Sequence, residues 1–134
     1  MSPRELIERF HTELFATGDL ATIDRFFAPD VVSHDMPPGF PQGIEGVRLF
    51  FSSFREGMPD VQVRIDEIVV EDDRAAVATK IEGTHTGAMM GIEATGRRIS
   101  VRGIDMVRVA DGRIVEHRGL TDTVGLLRQL SQPD

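Results

Sequence analysis

A single aspartate, Asp105, stands inside an otherwise apolar stripe of this chain. Between Arg97 and Val109 the odd positions read Ile99, Val101, Gly103, Asp105, Val107 and Val109. The even positions include Arg98, Ser100, Arg102 and Arg108, although Ile104 and Met106 interrupt that polar face. A period of two predicts a strand with one buried side, and Asp105 falls on it. A carboxylate placed there must find a partner or raise its pKa and stay neutral. Both outcomes suit acid–base chemistry. A structural ion pair between strands is the competing reading.

The hairpin that follows supplies the partner. With Ala110-Asp111-Gly112 as a three-residue turn, Val109 faces Arg113, Val107 faces Val115 and Asp105 faces His117. A two-residue Asp111-Gly112 turn would set Arg118 opposite Asp105 instead. The first register is preferred because it keeps Val115 on the apolar side. In both, the carboxylate meets a basic side chain.

Other residues could join it. His85 ends a strand that carries Val77 and Ile81, and could point into the same cavity or bond its neighbours Thr84 and Thr86. Ser33, His34 and Asp35 precede a proline-rich loop, a plausible pocket mouth, although turn formation explains Asp35 equally well. Met89 and Met90 fit adaptable pocket lining or simple gap filling. His11, on the first helix, reads as a surface or boundary residue. Asp122 is most simply a helix cap. The chain carries no Gly-x-Ser-x-Gly elbow, phosphate loop or dinucleotide fingerprint. His34, Asp35, His85, Asp105 and His117 lack the spacing typical of metal ligands, so no metal is expected.

The elements that position these residues are legible in outline. Ser2-Pro3-Arg4-Glu5 is a capping box with proline at the first helical position. Leu6, Ile7, Phe10 and Leu14 follow on one face, and Gly18 ends the helix. Asp19 is expected to cap a short helix burying Leu20, Ile23 and Phe27 and stopped by Pro29. After an extended piece at 31–34 and the loop at 37–43, Ile44, Val47, Phe50, Phe51 and Phe54 stripe a third helix. Beyond residue 60 the period changes to two. Strands are expected from Val61, over 75–83, over 97–109 and over 114–120, with turns at Asp72-Asp73 and 110–112. Asp122 then opens a last helix with Val124, Leu126, Leu127 and Leu130. Helices followed by an antiparallel meander give an α+β class. Such a sheet curls, and helices across its concave side leave a cone-shaped cavity.

Composition narrows the function classes. The 134 residues are expected to form a single domain over 1–134. A net charge of −7, scattered arginines and the lack of tyrosine and tryptophan argue against nucleic acid. Zero cysteines exclude disulfides, thiolate metal sites and a cysteine nucleophile. No apolar run approaches a membrane span. No signal-peptide pattern opens the chain, so the cytoplasm is the expected location.

Several stretches together resemble the SnoaL-like polyketide cyclases, or ester cyclases, of the nuclear transport factor 2-like superfamily. They are Ser33-His34-Asp35-Met36-Pro37-Pro38-Gly39, Gly83-Thr84-His85-Thr86-Gly87, and Gly103-Ile104-Asp105-Met106-Val107-Arg108. Ala110-Asp111-Gly112-Arg113-Ile114-Val115-Glu116-His117 and Asp122-Thr123-Val124-Gly125-Leu126-Leu127 complete the set. The resemblance implies a cone-shaped α+β barrel and cofactor-free, intramolecular aldol ring closure of a polyketide methyl ester. It also implies an acidic pocket residue that moves the proton. In characterised cyclases that aspartate directly follows a His-Arg pair on the penultimate strand. Here the pair is His117-Arg118 and the next residue is Gly119. Asp105 matches a pocket position where a characterised cyclase has histidine, so carboxylate and imidazole have exchanged strands or the cyclase chemistry is gone.

On this reading Asp105, His117 and His85 are the catalytic candidates. Ser33, His34, Phe51, Met89, Met90 and Arg118 are candidates for contacting a small apolar or polyketide-like ligand. Alternatives are a non-catalytic binder of apolar metabolites and an epoxide hydrolase or isomerase on the same scaffold. A homodimer is expected through the uncovered outer face of the sheet, with Ile104 and Met106 supplying apolar contact.

Overall fold

The computed structural model describes residues 1–131; residues 132–134 of the expected domain lie outside the described residues. Helix α1 (Pro3–Thr17) starts where Ser2 Oγ accepts from the Glu5 amide at 3.2 Å. It ends at Gly18, whose φ of 69° is left-handed, a conformation that favours glycine. Its stripe of Leu6, Ile7, Phe10 and Leu14 is buried. Short α2 (Thr22–Phe26) follows, with Asp19 Oδ1 accepting from the Ala21 amide at 2.9 Å.

Phe27 belongs not to α2, as expected, but to strand β1 (Phe27–Ser33), which contains Pro29. The reason is topological. β1 lies at the edge of the sheet, paired parallel to β5 with an irregularity between Phe27 and Val32. At an edge, the missing proline N–H removes no ladder bond. Pro29 therefore does not act as the stop signal.

Helix α3 (Ile44–Gly57) is followed by β2 (Gln62–Glu71), β3 (Arg74–Thr84), β4 (Arg98–Ala110) and β5 (Arg113–Thr121), then α4 (Thr123–Ser131). The sheet order is β1-β5-β4-β3-β2, antiparallel except at β1. Asp122 caps α4 as expected, its Oδ1 accepting from the Gly125 amide at 2.9 Å.

Two irregularities curl the sheet. Pairing shifts by one residue between Ile65 and Glu67 on β2, so Ile65 and Ile68 both pack toward the main core. A second shift on β5 leaves Val115 without a partner between Ile114 and Glu116. An extra residue bends its strand and increases the local twist. The concave side is then covered by the helices. One apolar cluster, including Leu6, Phe10, Phe26 and Val107, packs beneath α1 and α2. Another, with Met58, Ile99, Leu126 and Leu130, packs around β4 and α4. Among the described residues no helix is long and apolar enough to cross a membrane.

Candidate active site

A cavity of about 610 Å³ opens between the two clusters, and residues of both line it. Its walls are mainly apolar, with Phe10, Phe15, Phe51 and Phe54 among the aromatic contributors. The proline-rich loop contributes Met36, Pro37 and Phe40, as a pocket mouth should. Space near the polar end comes from small side chains: Thr79, Gly103, Gly119 and Thr121 line it together.

Asp105 and His117 lie at that end. Asp105 Oδ1 is 3.1 Å from His117 Nε2, and both side chains are about three-quarters buried or slightly less, at 31% and 24% exposure. The contact arises from neither of the two anticipated registers. Asp111 and Gly112 form a two-residue turn, with Ala110 opposite Arg113 and φ values of 51° and 75°. Positive φ at both central residues is the type I′ geometry that matches strand twist. The extra residue at Val115 then inverts the in–out alternation of β5. Ile114 is buried in place of Val115, and His117 still faces inward. Val107 therefore pairs with His117, and Asp105 pairs with Gly119. The imidazole reaches Asp105 diagonally.

Gly119 makes this possible. A Cβ there would run into Asp105 Oδ1 and lie 2.8 Å from His117 Cε1. The Gly119 amide is also held from the other side, donating to Asp35 Oδ2 at 3.1 Å. Asp35 is thus a cavity residue tying the mouth loop to β5, a role beyond the turn propensity legible in sequence.

The other candidates divide cleanly. Phe51, Met89 and Met90 line the cavity. His85 does not: it is fully buried, with Nδ1 2.9 Å from Thr95 Oγ1 and accepting from the Thr95 amide at 3.2 Å. Those bonds tie its ring to the loop before β4. Ser33 is buried outside the lining, its backbone clasped by the Gln42 side chain. His34 lies 2.7 Å from Glu116 Oε2, and Arg118 lies 3.9 Å from the same oxygen. Arg118 and Glu116 alternate with His117, so their side chains leave from the opposite face of β5. The Glu116 carboxyl is pulled down to about 2, first by the His34 hydrogen bond and then by Arg108.

One further histidine reaches the cavity. His11 sits at the boundary, as expected, and its ring lines the pocket. It flanks the α1 stripe, one turn after Ile7 and next to Phe10, and that spacing was its only signal in the sequence. Its Nδ1 lies 2.8 Å from the Ile7 carbonyl oxygen. Burial lowers its pKa, outweighing the Ile7 bond and the field of Asp105, while His117 lowers it further.

A largely apolar cavity holding an aspartate–imidazole pair, in a helix-covered curled sheet, defines a small-molecule pocket protein of the nuclear transport factor 2-like fold. Within that class, the family model for SnoaL-like polyketide cyclases matches residues 5–130, and the chain belongs to this family. The nogalonic acid methyl ester cyclase of Streptomyces nogalater is 30% identical over 129 residues, covering 89% of this chain and 90% of the relative. Among solved structures, TsrD from Streptomyces laurentii superposes with a TM-score of 0.86 at 32% identity, covering 96% of this chain and 93% of that one. IdmH from Streptomyces antibioticus does so with a TM-score of 0.85 at 35% identity, covering 98% and 100%.

Proposed function

We propose that the protein closes a ring in a polyketide methyl ester by intramolecular aldol addition, with Asp105 as the proton-transfer group and His117 as its positioning partner. Asp105 takes a proton from the activated carbon between two carbonyl groups, leaving an enolate. The enolate carbon attacks a ketone carbon of the same molecule, forming the new C–C bond and an alkoxide. The proton held by Asp105 passes to that oxygen, which restores the carboxylate. The reading calls on no metal or organic cofactor, because the substrate's own conjugation carries the charge. The aromatic walls would hold the chain folded with reacting carbons close, the source of most of the acceleration in such a step.

The observation that carries this reading is the arrangement of Asp105. One oxygen is engaged by His117, the other has no protein partner among the described residues, and the side chain lines an apolar hollow. A purely structural pair explains it less well. Eight registered residue pairs already join β4 to β5, so the strands do not depend on it to stay paired. The position also compensates for Gly119. The Asp105 oxygen lies where a side chain at 119 would begin, so a carboxylate reaches the same part of the pocket from the neighbouring strand.

The test is turnover of nogalonic acid methyl ester, the compound named for the relative, followed by mass spectrometry and absorbance. Asp105→Asn should lower kcat by roughly 10²–10⁴-fold with an unchanged melting profile. Undiminished turnover would remove Asp105 from the mechanism. Tight binding with no product in the wild type would make the protein a binder. We further propose that two copies pair through the outer face of the sheet.

A further inference from the structure

The cavity holds a second imidazole that the proton-transfer chemistry above does not use. His11 Nδ1 faces the Ile7 carbonyl oxygen at 2.8 Å. A carbonyl can only accept, so Nδ1 carries the proton. In the neutral ring Nε2 then bears a free lone pair. Nε2 has no protein partner among the described residues, and His11 lines the cavity.

The ring is also held still. Phe10 meets it edge-on at 5.1 Å, and Phe15 stacks at 6.3 Å with 24° between the planes. The groups acting on it electrostatically are Asp105 and His117, from β4 and β5. Burial among phenylalanines disfavours the charged form, and the lowered pKa agrees in direction.

We infer that His11 is a substrate-positioning residue whose Nε2 accepts a hydrogen bond from a phenolic or enolic hydroxyl of the ligand. The inference rests on the ligand pocket proposed above and adds the class of group it reads. A β-dicarbonyl segment in its enol form, or a hydroxyl on an already aromatic ring, supplies such a donor; a ketone, methyl ether or ester does not. Asp105 and His11 then act as two separate polar anchors in an apolar chamber, which fixes the orientation of a flat substrate as well as its depth.

A binding experiment tests this without requiring turnover. The chain has no tryptophan or tyrosine, so the fluorescence of 2-naphthol and 2-methoxynaphthalene can be followed without interference from either. The wild type should bind 2-naphthol about tenfold more tightly than its methyl ether, the worth of one well-made hydrogen bond. His11→Phe should bring the two within about twofold of each other, and His11→Gln, which returns an acceptor at a similar reach, should restore part of the preference. If the preference survives in His11→Phe but disappears in Asp105→Asn, the Asp105 pair reads the hydroxyl and the inference falls. Long-range ¹H–¹⁵N spectra of the wild type give a check independent of any variant's folding. At pH 7 His11 should show a protonated Nδ1 and a bare Nε2; the opposite tautomer, or an imidazolium, would overturn the assignment. Loss of cyclase turnover in Asp105→Asn leaves these readouts in place, so the two proposals fail separately.

Discussion

Gly119 decides where the carboxylate of this pocket can be. A Cβ at 119 would meet Asp105 Oδ1, so any side chain there requires the residue at 105 to turn aside. Gly119→Ala is therefore expected to push Asp105 off His117 and reduce kcat by about 10²-fold, the scale of a displacement near 1 Å, with a smaller change in KM. Steady-state kinetics checks this. The exchange between strands can be tested directly. Asp105→His should be inactive alone, and adding Gly119→Asp should recover turnover, because the family resemblance implies that pairing of residues. Asp105 was legible in the sequence because a charge breaking an apolar period of two has few explanations. His117 was legible as its partner only by type and proximity. The actual contact depends on an extra residue at Val115, which no local pattern marks. His85 resembled the other candidates in composition, but its bonds to Thr95 come from a loop whose path is set by tertiary packing.

At the scale of elements, the two irregularities on β2 and β5 bend the sheet, and a polar clamp on its outer face ties the edge down. His34 from beyond β1, Glu116 from β5 and Arg108 from β4 meet there at 2.7 and 3.1 Å. Glu116 is lowered from 4.5 to about 2, mainly by the His34 bond and then by Arg108. A carboxyl depressed on folding binds its proton less readily in the native state. Its stabilising contribution is therefore complete above about pH 4.5 and is lost as the pH falls toward 2. Urea midpoints of the wild type and Glu116→Gln should differ most above pH 4.5 and converge below it; a gap that widens on acidification would contradict the clamp. The helices are legible in the sequence, since capping residues and a 3.6-residue stripe are local signals. The full length of β1 is not legible, because its pairing with β5 is parallel and remote in sequence and no hairpin announces it.

For the whole molecule, the outer face of the sheet carries the clearest consequence. Ile104 and Leu120 lie opposite each other on β4 and β5, 64% and 72% exposed, with Met106 beside them at 45%. This exposed apolar patch is where the proposed pairing of two copies would bury surface. Light scattering should give a mass near twice 14.8 kDa, and Ile104→Glu should return it to the monomer value while leaving the pocket intact. A wild-type monomer at micromolar concentration would remove the dimer. By itself the sequence determined the α+β class, the helical and strand faces and the inward aspartate, because periodicity and caps act over a few residues. Only the tertiary structure decided the register of β5, the partnership of Asp105 with His117 over Gly119, the withdrawal of His85 and the inward position of His11. Those depend on how bulged strands curl and where helices land on them, and such distances are set by contacts between residues far apart in the chain.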